Sequence, residues 1–108
     1  KIARGRKVNY VFLRRLFKEC VVCGMTEEEH ISKYGTSLHV DHVSPLKFGN
    51  GLRPDNATIL CHACNSIKHT KELDELPDHM AKRIRITADL FALLWNSWVD
   101  NREISSTG

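Results

Sequence analysis

Two short stretches, Cys20-Val-Val-Cys23 and Cys61-His-Ala-Cys64, share one spacing and contain all four cysteines of the 108-residue chain. A Cys-x-x-Cys turn can aim two thiolates at one point, and a tetrahedral zinc ion takes four such soft ligands. The sequence therefore predicts one structural zinc ion held by all four thiolates. Such a closed shell leaves no position for a substrate, so any chemistry must come from other residues.

Disulfide bonds or a redox role are the alternative uses of these thiols. Nothing in the sequence marks the chain as secreted, and a reducing compartment disfavours disulfides. A bridge within one Cys-x-x-Cys pair would also close a loop too small to stabilise the fold much. Structural zinc is therefore the favoured interpretation.

The formal net charge is only +3, but the charges are unevenly placed. The first eighteen residues contain no acid, whereas acids cluster at 27–29 and 72–78. This asymmetry fits a face that binds a polyanion, and a solvated helix face with a basic tail is the alternative. On the basic side we expect nucleic-acid contacts from Arg14, Arg15 and Lys18.

The hydrophobic pattern indicates no membrane segment. No run approaches the roughly 18 apolar residues that a spanning helix needs, and no signal peptide is recognisable. We therefore expect no membrane partner and a cytoplasmic location, in a bacterial host cell if the protein is phage-encoded.

Periodicity and turn residues predict a mixed α+β fold. Thr26 with Glu29 forms a capping-box signature for a helix that ends near Gly35. The expected elements in chain order are a helix over 8–18, a helix over 27–34, a strand over 36–40, a long loop over 43–57, a strand over 57–60, a helix over 62–73 and a helix over 78–100. The last helix should bury an apolar stripe: Met80, Ile84, Phe91, Leu94, Trp95 and Trp98.

The segment around the cysteine pairs resembles the HNH endonuclease family within the ββα-metal nuclease superfamily. The resemblance covers residues 20 to about 70, and three parts of it occur in the family's order: Asp41-His42, then Asn56, then Asn65 directly after the last cysteine. It is close to the variant in which zinc-binding cysteine pairs frame the motif, as in phage HNH endonucleases and endonuclease VII. The fold that it implies is a small zinc-stapled ββα-metal domain with a helix on either side.

The resemblance also implies roles for individual residues. His42 would be the general base, and a catalytic divalent ion would be held by Asp41 and Asn65, with His69 as a third ligand. Because two of these ligands are oxygen atoms, Mg²⁺ or Mn²⁺ is expected rather than zinc. Asn56 would pin the long loop and help to orient the base.

Several weaker assignments complete the predicted site. His39 lies two residues before Asp41 and is a candidate for contacting the phosphate, as are Arg53 and Lys68. Each main assignment also has an ordinary alternative: Asp41 could cap a turn, Asn65 could cap a helix, and His69 could be an exposed helix residue. The remaining histidines are expected at the surface: His30, His62 and His79.

The sequence thus predicts a single domain, divided into a basic N-terminal helix (1–19), a zinc-bound core (20–73) and a C-terminal helix (78–101). Its predicted activity is metal-dependent DNA cleavage to 5′-phosphate and 3′-hydroxyl ends, by nicking or by double-strand cutting. Its expected partner is DNA, with a homodimer or a phage or host protein that supplies targeting as further partners. A non-catalytic zinc-knuckle module that binds nucleic acid is the alternative function.

Overall fold

The structure, a computed structural model, describes residues 10–45 and 56–107. Within these ranges the fold is mixed α+β as expected: a two-stranded antiparallel hairpin with helices around it. The elements in chain order are helix α1 (Tyr10–Leu16), helix α2 (Glu27–Tyr34), strand β1 (His39–His42), strand β2 (Ala57–Leu60), helix α3 (His62–Lys68), a 3₁₀ helix (Leu73–Glu75) and helix α4 (Asp78–Thr107).

The hairpin places the Asp-His pair at the end of its first strand. β1 and β2 pair in antiparallel register with Asp41 opposite Thr58 and His42 opposite Ala57. All four residues of β2 are buried, whereas those of β1 are half-buried. β2 therefore belongs to the core, and β1 carries its polar side chains at the edge of the core. The first strand begins later than expected because Thr36 and Ser37 belong to the turn that follows α2.

Helix α2 has the ends that the sequence predicts. Thr26 Oγ1 accepts a hydrogen bond from the Glu29 backbone at 3.1 Å, and the Glu29 carboxylate accepts one from the Thr26 backbone at 2.9 Å. The helix ends at Gly35, whose φ of 76° is a left-handed conformation that glycine adopts without a steric cost. The capping box and the glycine thus fix both ends of this element.

The expectation that His30 lies at the surface is wrong. Its side chain is 0% exposed, and both ring nitrogens have partners. Nδ1 lies 2.6 Å from the Thr36 carbonyl, and Nε2 accepts a hydrogen bond from the His62 backbone at 3.0 Å. The ring donates at Nδ1 and accepts at Nε2, and through these two hydrogen bonds His30 links the end of α2 to the start of α3. His62 and His79 are exposed as expected.

Helix α3 is shorter than the sequence suggested. It ends at Lys68, and residues 68–71 form a tight turn in which the Lys71 backbone donates to the Lys68 carbonyl at 2.8 Å. His69 occupies the first central position with φ 46° and ψ −126°, the backbone conformation of a type II′ turn. Glycine is the usual residue at that position, so nothing in the local sequence marks this turn.

Helix α4 supplies one wall of the core. Its fully buried residues include Met80, Ile84, Phe91 and Trp95. Leu94 and Trp98, which the periodicity also assigned to the core, are 37% and 39% exposed. They lie at the margin of the buried stripe, and Trp98 is covered on one side by Phe12, with ring centroids 5.2 Å apart. In the part of the chain described, no helix has the length and apolarity needed to cross a bilayer.

Glu27 joins three parts of the fold. Its carboxylate accepts a hydrogen bond from the Leu38 backbone at 2.9 Å and lies 3.8 Å from an Arg14 nitrogen. Burial alone would raise the pKa of Glu27, but the Leu38 hydrogen bond, the Ser37 side chain and nearby Arg14 outweigh it and lower that pKa below 4.5. The ionised carboxylate is therefore the form that stabilises the junction between α1, α2 and β1.

Glu27→Ala should lower the free energy of unfolding by about 1 kcal/mol at neutral pH, a modest value because the side chain is about one-third exposed. The folded-state pKa is lowered, so this contribution is present above pH 4.5 and is lost as the pH falls through the folded-state value. Urea unfolding of both proteins across this pH range measures it. A difference that stays constant down to the most acidic condition would contradict this electrostatic account. Glu28→Ala, on the same helix and exposed, is the control.

Candidate active site

The four cysteines come together as the sequence predicts. Their Sγ atoms all lie within 4.8 Å of one another, and those of Cys23 and Cys61 are 3.6 Å apart. Zinc–sulfur bonds of about 2.3 Å in a tetrahedron require sulfur atoms about 3.8 Å apart. All four thiols are free of disulfides. Their spacing and chemistry therefore fit one structural zinc ion.

Backbone contacts explain why this cluster forms where it does. Cys61 is the N-cap of α3, and its Sγ accepts a hydrogen bond from the Cys64 backbone at 3.4 Å. The first pair is tied to the hairpin because the Val21 backbone donates to the Ile59 carbonyl at 3.2 Å. The cluster therefore fastens the first cysteine pair to β2 and to the start of α3.

The thiols differ in how readily they ionise. Burial by itself would raise the pKa of Cys20, but backbone N–H groups, those of Cys23 and Cys61 foremost, outweigh burial and lower that pKa. Burial raises the pKa of Cys64 strongly, and the nearby Cys20 thiolate adds to the effect. Four thiolates at such short range repel one another, so a divalent cation is what allows all of them to ionise together.

A separate cleft lies where the end of β1 meets α3. Its volume is about 500 Å³. Asp41 lines it from β1, Asn65 lines it from α3, and His69 lines it from the turn after that helix. The structure therefore brings the three residues predicted to bind a catalytic ion to one cleft. Ser66 and Thr70 complete the lining. Neither could be predicted as a site residue, because the sequence marks each of them only as the residue after a predicted ligand.

Asp41 has a buried cation beneath it. Its Oδ1 accepts a hydrogen bond from the His42 backbone at 2.8 Å, and its Oδ2 lies 3.5 Å from Lys68 Nζ. The Lys68 side chain is 0% exposed. An isolated ammonium group is costly to bury, so the Asp41 carboxylate is its electrostatic partner. Lys68, which the sequence suggested as a phosphate contact, therefore lies under the cleft and acts on the carboxylate.

Asn56 fastens the chain just after the Asp-His pair. Its side chain is 2% exposed. Oδ1 accepts from the Ser44 backbone at 2.8 Å, and Nδ2 donates to the Ser44 carbonyl at 3.0 Å. The Val43 backbone adds a hydrogen bond to the Asn56 carbonyl at 3.0 Å. This paired contact closes the base of the long loop. Glu72 adds a further link, accepting a hydrogen bond from Ser44 Oγ at 2.5 Å.

His42 is half-buried at the last position of β1, and its Nε2 atom is covered from solvent. Because neighbouring strand residues point to opposite sides, its ring and the Asp41 carboxylate leave the strand in different directions. His42 is not among the residues that line the cleft. His42, the predicted base, and Asp41, a predicted ion ligand, are thus neighbours in the chain whose side chains lie on two sides of one strand end.

His69 is held in an unfavourable backbone conformation. A non-glycine residue at φ 46° and ψ −126° costs on the order of 1–3 kcal/mol, and such residues concentrate at functional sites. Its N–H donates to the Asn65 carbonyl at 2.7 Å. This backbone bond sets the position of His69 relative to Asn65 even though the helix has already ended.

His39 lies in an aromatic group at the other end of β1. Its ring centroid is 5.6 Å from that of His30 and 5.9 Å from that of His62. Burial is the main cause that lowers the pKa of His39 below 6.5, and the nearby positive charge of Arg14 adds to it. The ring is therefore neutral near pH 7, and its observed contacts are with other side chains of the fold.

The predicted nucleic-acid contacts separate into three groups. Arg14 is directed to Glu27, 3.8 Å away. Arg15 and Lys18 are exposed. Arg53 lies outside the described residues.

The hairpin, the helix after it and the thiol cluster together define a zinc-stapled ββα domain. The family model for HNH endonuclease matches residues 20–71, which include both cysteine pairs and the whole cleft. Residues 20–71 thus carry the signature of the HNH endonuclease family, and their four clustered cysteines fit a zinc-knuckle variant of it. Comparison with curated proteins and with solved structures finds no match.

The purified protein should contain one zinc ion per chain, and a strong chelator should abolish its cooperative unfolding transition, since metal binding supplies folding free energy. Cys61→Ser should have the same effect because it removes one of the four thiolate ligands, while the serine hydroxyl can still cap α3. Elemental analysis and thermal denaturation followed by circular dichroism measure both. Val22→Ser, which alters the first pair's turn but keeps all four thiols, is the control. Full zinc content in Cys61→Ser, or unchanged melting after chelation, would contradict the assignment.

Proposed function

We propose that this chain is a divalent-metal-dependent DNA endonuclease whose active site comprises Asp41, His42, Asn65 and His69. One observation carries the proposal: residues from a strand, a helix and a turn line a single cleft with a carboxylate, an amide and an imidazole. The family of this domain is one of nucleases that act on nucleic acid. A structural zinc domain has no need of this second group of donors.

The donors in the cleft fit a hard divalent cation. Asp41 and Asn65 would supply oxygen ligands and His69 a nitrogen ligand, a set suited to Mg²⁺ or Mn²⁺. When bound there, the ion would offset the negative charge that develops on the phosphate and on the departing oxygen during hydrolysis. Asp41 can serve as a ligand without losing its present contacts, because a carboxylate has about four acceptor positions.

The chemical step assigned to the protein's own residues is a proton transfer. The His42 imidazole takes a proton from a water molecule whose oxygen attacks the phosphorus. A phosphorus–oxygen bond forms as the bond to the 3′ oxygen breaks, and that oxygen then acquires a proton from solvent. The products are a 5′-phosphate and a 3′-hydroxyl. Asn56, by fixing Ser44, limits how far the end of β1 and the His42 ring can move.

Lys68 acts in this proposal as a positioning residue. Its buried ammonium holds one oxygen of Asp41, while the His42 backbone holds the other. The carboxylate is therefore oriented before any ion binds. The positive charge beneath it also weakens its attraction for a cation, so we expect the ion to bind most firmly when a DNA phosphate is present as a further ligand.

Three further features belong to the proposal: Mg²⁺ or Mn²⁺ as the catalytic ion, a phage origin with action in the cytoplasm of a bacterial host, and a single domain over 1–108. Cleavage of both strands would need two active sites, and hence a homodimer or a partner that supplies targeting. The exposed apolar residues Ile86, Leu90 and Leu93 on α4 are compatible with a dimer contact.

His42→Ala should reduce DNA cleavage by about 100-fold or more, because it removes the general base. Nicking and linearisation of supercoiled plasmid with Mg²⁺ or Mn²⁺ measure the effect. His79→Ala, an exposed histidine at the start of α4, is the matched control and should cleave normally. Equal zinc content in all three proteins excludes misfolding. The proposal is wrong if His42→Ala keeps full activity, or if the folded wild-type protein is inert with every divalent ion.

His69→Gly should separate stability from activity. Glycine adopts the backbone conformation of this turn without strain, so the free energy of unfolding should stay equal or rise by up to about 1 kcal/mol. Loss of the imidazole ligand should raise the Mn²⁺ concentration needed for half-maximal cleavage. Thermal melting and metal titration of plasmid nicking measure the two effects. Thr70→Gly changes the neighbouring turn position and keeps the ligand, so its metal dependence should match wild type. An unchanged metal requirement in His69→Gly would remove His69 from the ion site.

A non-catalytic module that binds nucleic acid is the second candidate function. The exposed cations Arg15 and Lys18 favour it, because they could bind DNA without cleavage. It would be supported if Asp41→Ala and His42→Ala left all measurable behaviour intact while Arg15→Gln weakened binding.

A further inference from the structure

A second cleft, of about 520 Å³, lies beside the first cysteine pair, between the end of α1 and the outer face of α4. Three cationic side chains line it: Arg15 and Lys18 from the α1 end, and Arg83 from α4. Glu19 is the one acid among the lining residues. The fold thus gathers positive charge from segments that are far apart in the sequence.

Within residues 10–45 and 56–107, these cations differ from their neighbours in having no acidic partner. Arg14, next to Arg15, lies 3.8 Å from Glu27, and Arg85, two residues after Arg83, lies 3.2 Å from Asp89. Among the ion pairs between described residues, none includes a cation of the second cleft. The three positive side chains therefore repel one another with little compensation, and a bound anion would relieve that repulsion.

The framework around the cleft is held firmly. Arg83 precedes Ile84, which is 0% exposed, so its backbone is anchored in the core. The backbone carbonyl of Lys18 accepts a hydrogen bond from Glu27 at 3.0 Å, and the Cys20 backbone donates to Met25 at 2.8 Å. Both walls are therefore fixed while the charged ends of the side chains stay exposed, which suits the binding of an anion from solvent.

Glu19 lies against the cysteine turn. Its Oε1 is 3.2 Å from the position that a Cβ atom would occupy on Gly24. Its negative charge offsets part of the positive potential of the cleft. It also offers a test of opposite sign, because neutralising it should make the cleft more attractive to an anion.

We infer that the second cleft binds a backbone phosphate of the DNA, on a nucleotide other than the one that is cleaved, with Arg83 as its main contact from α4. The inference rests on the proposed function in that the DNA is the substrate. The lining of the second cleft offers cations and apolar surface. Contacts between cationic side chains and phosphates position DNA without reading its sequence. The residues of this cleft are distinct from those that line the proposed ion site, so it contributes to affinity and not to the chemical step.

Arg83→Gln should weaken binding of a short labelled DNA duplex by roughly three- to tenfold. It should also reduce the slope of log affinity against log salt concentration by about 1, the value for one lost phosphate contact. Glu19→Gln should tighten binding. Fluorescence anisotropy over a range of salt concentrations, with Ca²⁺ in place of the catalytic ion, measures both. In cleavage assays Arg83→Gln should raise KM and leave kcat unchanged.

Lys82→Gln removes the same charge from an exposed neighbouring position on α4 that does not line the cleft, and is the matched control. Arg83→Lys should restore most of the affinity. Equal binding by Arg83→Gln and Lys82→Gln, or weaker binding by Glu19→Gln, would overturn the inference, as would a wild-type protein that does not bind DNA. If Arg83→Gln weakens binding but no protein cleaves DNA, the cleft stands and the nuclease proposal fails.

Discussion

The convergence of four thiols on one point is the constraint on which the rest of the structure depends. The hairpin has only two short strands, and α3 has only seven residues, so neither would be stable alone in water. The cluster joins the turn after α1 to the end of β2 and to the first turn of α3. Bound zinc would therefore hold the strand and the helix that carry the proposed ion ligands, without touching the cleft itself.

Around the thiol cluster, hydrogen bonds and ion pairs of polar side chains fix the relative positions of the helices and strands, which a small hydrophobic core alone does not fix. His30 links α2 to α3, Asn56 links the two ends of the long loop, and Glu27 links α1, α2 and β1. Each is a directed contact with at least one backbone group, and such contacts fix orientation as well as distance. The cleft of the proposed active site is thus built on elements whose relative positions are set by hydrogen bonds.

Charge is divided between the two clefts in a way that suits their proposed tasks. The first has a carboxylate held over a buried ammonium, which keeps the local net charge near zero until an ion and a phosphate arrive. The second has three cations against one acid, a charge balance that suits the proposed binding of DNA. Affinity and chemistry are then carried by different residues, which is why a substitution in one cleft is expected to leave the other working.

The sequence by itself determined the parts that depend on local spacing. The cysteine pairs, the capping box with Gly35, the second strand and the order of Asp41, Asn56 and Asn65 could all be recognised from residue type and separation. Roles that depend on partners far away in the chain could not be recognised from the sequence. Only the tertiary structure buried His30 and Lys68, ended α3 before His69, left Leu94 and Trp98 at the margin of the core and placed Arg83 beside Arg15. The reason is physical: a capping box, a glycine helix end or a cysteine pair is set by neighbouring residues. Burial, ion pairing, the sharing of a cleft and the strained turn at His69 are instead decided by which distant surfaces the fold brings into contact.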